Sequence, residues 1–133
     1  MYSRRLLRIK VMQILYAYLK TDSPSLQHAE KELIHSVEKS YDLYHFLLLL
    51  VTEVRHYALE RIDLAMNKKR PTYEDLHPNR NFAENRVILQ IEESRQLRKY
   101  LDGRGMSWVK YPELIKKLFR ALTESDWYLD YMK

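Results

Sequence analysis

The feature that most constrains the fold is a stretch of 44 residues, from Leu26 to Lys69, that contains neither proline nor glycine. The whole chain has two glycines and four prolines. No Asn-Gly or Asp-Gly turn joins two alternating apolar runs, as a β-hairpin would require. Apolar residues instead recur every three or four positions along most of the chain, which is the period of an amphipathic helix. The sequence therefore predicts an all-α protein, a bundle of five or six helices.

Residues 26–69 allow two interpretations. One continuous helix would be more than about 60 Å long at 1.5 Å per residue. The apolar pattern changes register near Ser40–Asp42, however, and this favours a break into a helical hairpin. Basic residues 68–70, just before Pro71, are expected in the last turn, where the helix dipole favours them.

The remaining helix ends follow from local signals. Ser3 is a suitable N-cap because its hydroxyl can accept from free amides of the first turn, and Thr21-Asp22-Ser23-Pro24 ends that helix. Ser25 can cap the next one. The other expected elements are helix 4–20, a helical turn at 72–76, helix 83–101 ended by a left-handed Gly103, helix 112–122, and a last turn at 126–132 capped by Ser125.

The length of 133 residues is that of one ordinary domain. Helices one to three are expected to form its core, and the 71–82 segment is the only expected internal boundary. The longest apolar run, Phe46–Val51, is too short to span a membrane, which takes about 20 residues. The basic start lacks the cleavage site of a signal peptide. We expect a cytoplasmic protein without a membrane partner.

Positive charge is concentrated at the start of the chain. Five basic residues and no acid precede Asp22, whereas the remaining 112 residues carry 18 basic and 18 acidic side chains. The whole net charge of +5 therefore lies in the first 21 residues. A footprint of this kind is typical of a protein with a polyanionic partner.

On a helical wheel, Leu7, Val11 and Leu15 belong to an apolar stripe, and Arg4 and Arg8 extend that stripe. Burying unpaired arginines would be costly, so we expect this end of the helix to project beyond the core. Two interpretations remain: the arginines are merely solvated, or they bind phosphates. Positive charge at a helix N-terminus is unfavourable by about 0.3–1 kcal/mol, and phosphate binding would offset that cost.

The segment RRLLRIKVMQILYAY resembles the N-terminal helix of the NusB family of transcription antitermination factors. That family has an Arg-rich turn followed by a Gln-Ala-Leu-Tyr-like step, which here reads Gln13-Ile14-Leu15-Tyr16. The following AEKELIHSVEKSYDLYHFLLLLV is similar in layout to the family's second and third helices, and YEDLHPN looks like the longer Bacteroidetes-type members. Ile9 departs from the family, which often has an acid there. The Asn-Glu and Phe-Val-Asn-Gly motifs of the family's second half are absent, so we expect the chain to be the N-terminal part of a longer protein.

The resemblance implies an RNA-binding antitermination factor that acts in ribosomal RNA transcription. Its partners would be single-stranded boxA-like RNA, the small-subunit ribosomal protein NusE and the RNA polymerase elongation complex. The family's RNA contacts correspond to Arg4, Arg5 and Arg8, and charge alone adds Lys10. The NusE contact lies largely in the missing half. The alternative is a helical protein–protein interaction module with no role in nucleic-acid binding.

Two other basic groups are candidates for secondary RNA contacts. Lys68, Lys69 and Arg70 form one group, for which a plain helix-terminus role is the alternative. Arg80 and Arg86 form the other, with Phe82 between them as a stacking ring or, alternatively, as a core residue.

Other chemistry finds little support in the sequence. The chain has no cysteine, which excludes thiol catalysis, disulfides and Cys-ligated zinc. His28 and Glu32 share a helix face but lack further ligands, and no Gly-rich phosphate loop is present. We expect no metal, no cofactor and no enzymatic activity. Arg95, Arg98 and Lys99 are expected to pair with Glu92, Glu93 and Asp102. An exposed apolar patch around Leu118, Phe119, Trp127 and Tyr131 would favour homo-oligomers.

Overall fold

The computed structural model describes residues 3–22 and 24–133, and it confirms the all-α prediction. Within these residues there is no strand, and five of the seven helices have eight or more residues. None of the helices described is both long and apolar enough to cross a bilayer. The helices are α1 Arg4–Lys20, α2 Leu26–Met66, α3 Tyr73–Leu76, α4 Arg86–Glu93, α5 Arg95–Arg104, α6 Pro112–Thr123 and α7 Asp126–Tyr131.

The first helix begins and ends where its local signals indicate. The Ser3 hydroxyl accepts a hydrogen bond from the backbone N–H of Leu6 at 3.1 Å, which satisfies one of the free amides of the first turn. Thr21 is the extended C-cap residue, and its N–H donates to the Tyr18 carbonyl. The Ser25 hydroxyl likewise accepts from the His28 N–H at 3.4 Å.

The second helix is continuous, so the expected break near Ser40–Asp42 is wrong. The polar residues there are compatible with a helix: the Ser40 hydroxyl donates to the Ser36 carbonyl, and Lys39 pairs with Asp42 at 3.0 Å. The helix ends at Met66. Lys68, Lys69 and Arg70 therefore lie beyond the last turn, where we had expected them to lie within it.

The single helix expected at 83–101 is in fact two helices that meet at Ser94. The Ser94 side chain caps α5 by accepting from the Leu97 N–H at 3.4 Å. Gly103 lies inside α5, and Gly105 instead adopts the left-handed conformation, with φ of 60°, that ends the helix. Either glycine suits such a position, and only the backbone shows which one occupies it.

The chain divides into two compact units, with the boundary between Tyr44 and His45 inside α2. In the first unit, α1 has no buried residue. The expectation that helices one to three form the core is therefore wrong for α1. The apolar side chains that are buried among the described residues all belong to the second unit: Val54, Ala58, Ala83, Ile88, Leu97, Leu101, Trp108, Ile115 and Tyr128.

The core of the second unit is centred on Val54, Trp108 and Ile115. The Trp108 ring stacks on Phe46 with 3.9 Å between ring centres. Its indole N–H also donates to the Phe46 carbonyl at 2.9 Å. The 71–82 segment lies within this unit, and Phe82 at its end packs against the core.

A polar cluster around Glu92 joins three helices of the second unit. One carboxylate oxygen lies 2.7 Å from Arg55 Nη1, and the other lies 2.9 Å from His56 Nε2. The Glu92 backbone carbonyl accepts from Arg98 Nε at 2.8 Å. Burial opposes ionisation of Glu92, but the His56 hydrogen bond and the charges of His56, Arg55 and Arg98 outweigh it, so the pKa lies below its ordinary value of 4.5.

Candidate nucleic-acid interface

The first two turns of α1 carry the cations that the sequence nominates for RNA binding. Arg4, Arg5 and Arg8 are exposed, whereas Lys10 is half-buried. The Ser3 cap holds the helix in register from its first residue, so the three arginines lie on consecutive turns of a regular backbone. They therefore form a short cationic surface at one end of the helix.

These cations have no ionic partner within the described residues. No carboxylate among residues 3–22 and 24–133 lies within 4.0 Å of Arg4, Arg5, Arg8 or Lys10. The first turn of α1 also contains no acid. Both the helix dipole and the neighbouring cations therefore disfavour this arrangement unless an anion binds.

The apolar stripe of α1 is more exposed than the wheel suggests. Leu15 is 54% exposed and Met12 66% exposed, although Leu15 was expected in the core. Ile14 and Tyr18 are half-buried and line a groove of about 480 Å³ with residues at the start of α2, including His28. The first unit thus presents both cations and apolar side chains to solvent.

Lys68 is engaged in local structure, unlike its two neighbours. Its ammonium lies 2.8 Å from Asp75, which together with Thr72 forms the capping box of α3. The Lys68 hydrogen bond, with that from the Thr72 N–H, holds the pKa of Asp75 below its ordinary value. Lys69 and Arg70 are exposed and have no carboxylate within 4.0 Å in the described part of the chain.

Phe82 does not form a free stacking ring between Arg80 and Arg86. The two arginines are exposed, but Phe82 is half-buried and packs edge-on against Tyr128, with 5.6 Å between ring centres. This contact favours the core alternative for Phe82. Arg80 and Arg86 remain candidates on charge alone.

The histidines and acids show no metal-binding arrangement in the residues described. No three His, Asp or Glu side chains there are placed to hold an ion. An acidic groove of about 320 Å³ is lined by Glu53, Glu60 and Glu113 with His56 and Lys116. Its charge is unsuited to RNA.

Three basic residues of α5 do not form the ion pairs that their helical spacing predicts. Arg95 and Lys99 have no carboxylate within 4.0 Å among the described residues, so the expected pairing with Glu92, Glu93 and Asp102 is wrong for both. Arg98 bonds to the backbone carbonyl of Glu92 and not to its carboxylate. A local count of charge along α5 and α6 would have identified this group.

The expected apolar patch at the end of the chain is partly exposed. Leu118, Trp127 and Tyr131 are exposed, with Trp127 at 66%. Phe119 is half-buried and packs edge-on against Tyr57 at 5.2 Å between ring centres. Self-association through this patch stays a prediction.

Comparison of the chain with protein-family models, curated proteins and solved structures gives no match. The assignment of a function therefore depends on the geometry of the basic surfaces and on the resemblance of residues 3–20.

Proposed function

We propose that the chain binds single-stranded RNA through the N-terminal turns of α1, with Arg4, Arg5 and Arg8 contacting phosphates. The observation that carries the proposal is the exposure of three arginines on a capped helix with no carboxylate partner in the described residues. Lys10 is half-buried and contributes to the local potential more than to a direct contact.

Energetics support a phosphate ligand for this surface. Cations in the first turn oppose the helix dipole at a cost of about 0.3–1 kcal/mol, and a bound phosphate reverses the sign of that interaction. Arginine also offers several donors in a planar arrangement that matches phosphate oxygens. These contacts position a strand without reading its bases.

The biological setting follows from the resemblance to the NusB family. In that setting the RNA is a boxA-like element of a nascent ribosomal RNA transcript. The protein partners are the ribosomal protein NusE and the RNA polymerase elongation complex. Such a role requires RNA binding first, which makes the affinity of α1 for RNA the step to measure.

The test is an α1 triple variant, Arg4→Ala with Arg5→Ala and Arg8→Ala. Three phosphate contacts at ~0.7 counterion each predict that the slope of log K against log salt falls by about 2. A control triple variant, Lys116→Ala with Arg120→Ala and Lys133→Ala, removes the same charge from cations that pair with acids three or four residues away. If the α1 triple variant kept the wild-type slope, the three arginines would be solvated surface residues that do not contact phosphates.

A second candidate function is a protein-interaction module that does not bind RNA. The exposed apolar side chains of α1, with Leu19 at 79% and Met12 at 66%, favour it. The two functions differ in a simple assay: a protein-only module shows no retention on immobilised single-stranded RNA even at low salt.

A further inference from the structure

A second concentration of positive charge lies in α5 and α6. Residues 94–123 contain eight basic side chains and two acidic ones, Asp102 and Glu113. The charges after residue 21 nevertheless sum to zero, because an excess of acids elsewhere, including α2, offsets this local excess of cations. Each of the eight is exposed: Arg95, Arg98, Lys99, Arg104, Lys110, Lys116, Lys117 and Arg120.

Arg95, Lys99 and Lys110 are among the cations that have no ionic partner in the part of the chain that the structure describes. Arg95 and Lys99 are four residues apart on α5, on the face opposite the buried Leu97 and Leu101. Lys110 lies in the loop that follows. None of the three has a carboxylate within 4.0 Å in residues 3–22 or 24–133, unlike Lys116 and Arg120, which pair within or next to α6.

Aromatic rings are interleaved with these cations. Lys99, Tyr100 and Arg104 line a shallow depression of about 410 Å³ on α5. The Arg104 guanidinium lies over the Tyr100 ring, 5.2 Å from its centre, and Tyr100 stacks on His45 at 3.9 Å. The stacked rings support an exposed guanidinium, and arginine planes and tyrosine rings are side chains on which unpaired bases stack.

A second depression begins at the residue after Arg104. It has a volume of about 380 Å³ and is lined by Gly105, Lys110 and Tyr111 among others. Tyr111 is 52% exposed. Arg104 of the first depression and Gly105 of the second are adjacent in sequence, and the left-handed Gly105 turns the chain between them.

We propose that α5 and the loop after it form a second RNA-binding surface, in which Arg95, Lys99 and Lys110 contact phosphates while the Arg104 guanidinium and the Tyr111 ring offer stacking positions for bases. A cationic groove with aromatic side chains is the arrangement that binds single strands without strong sequence preference. The rings favour nucleic acid over an acidic protein segment, which would use the charges alone. This surface belongs to the second unit and does not depend on α1.

The experiment uses the full chain and a labelled uridine 20-mer. An α5 triple variant, Arg95→Ala with Lys99→Ala and Lys110→Ala, is compared with the control triple variant in both the wild-type and the α1 triple backgrounds. All three residues are exposed, and circular dichroism checks that helix content is retained. In either background we expect the α5 triple variant to lower the salt slope by about 2, from three contacts at ~0.7 each. The control should leave the slope unchanged.

Cross-linking with 4-thiouridine RNA gives an independent readout, since attachment to Tyr111 is expected only from this surface. The inference is overturned if the α5 triple variant behaves like the control, or if polyglutamate binds as tightly as RNA at equal ionic strength. If the α5 triple variant lowered the salt slope and the α1 triple variant did not, only the proposed function of α1 would be contradicted. The reverse result would contradict the second surface alone, and a wild-type chain that does not bind RNA would contradict both.

Discussion

Replacement of Glu92 by alanine should destabilise the protein far more than replacement of Glu93 by alanine. Glu92 accepts from Arg55 and His56 at 2.7 and 2.9 Å, and its side chain is 26% exposed while that of Arg55 is 13% exposed. A solvent-exposed ion pair is worth about 0–1 kcal/mol, and breaking a fully buried pair costs about 3–5 kcal/mol. The intermediate burial here places the expected loss at about 2–3 kcal/mol, because Arg55 keeps only its bond to the Ala83 carbonyl.

Glu93→Ala is the matched control. Glu93 is exposed, lies on the same helix and has no ion pair among the described residues, so its replacement should change stability by about 0.5 kcal/mol or less. Urea unfolding followed by circular dichroism gives both values. A double-mutant cycle with Arg55→Ala then isolates the coupling between the two side chains.

The pH dependence of the difference provides a further check. The folded pKa of Glu92 is lowered, so its contribution is fully present above the unfolded pKa of 4.5 and is lost as the pH falls through the folded value. The stability difference between wild type and Glu92→Ala should therefore shrink in acid. A difference from Glu93→Ala below about 0.5 kcal/mol at neutral pH, or one that does not shrink as the pH falls below 4.5, would refute the reasoning.

The other predictions concern backbone and packing. Gly105→Ala should destabilise by about 1 kcal/mol, because an alanine at φ of 60° is strained, whereas Gly103→Ala should stabilise by about 0.5–1 kcal/mol, because Gly103 lies inside α5 with free space around it. Ile115→Ala should cost about 2–5 kcal/mol as a core truncation, whereas Leu15→Ala, at a 54% exposed site, should cost less than about 1 kcal/mol. Thermal or urea unfolding measures each pair, and equal effects within either pair would contradict the corresponding assignment.

Local chemistry made the ends of α1 predictable from sequence. The Ser3 hydroxyl and the Thr21 backbone N–H each bond to a residue only three positions away, and no distant contact is needed to explain them. The change of apolar pattern near Ser40–Asp42 does not mark a break in the helix. It indicates only that a different face of the helix is apolar on either side of this point. The backbone itself continues through that point.

Pairing of surface charges was the least predictable property of the candidate sites. Helical spacing places Lys99 three residues before Asp102, yet the side chains do not meet in the described structure. Glu92 binds Arg55 and His56, more than 30 positions away in sequence. Spacing indicates which partners are within reach, while tertiary contacts decide which partner is taken. A count of charge along residues 94–123 reveals the excess of cations there, but the cations of α5 that lack a carboxylate partner could be recognised only after Glu92 had been located.

The unbroken course of α2 has a consequence for amide hydrogen exchange. From Leu26 to Tyr44 the helix has one buried side chain, Asp42, whereas Thr52, Val54 and Ala58 are buried farther along. Unzipping from the N-terminal end breaks successive backbone hydrogen bonds and exposes little additional apolar surface until it reaches those residues. Amides of the first half should exchange by local fraying, and those of the second half only when the core opens. One helix thus carries a gradient of protection that rises along its length.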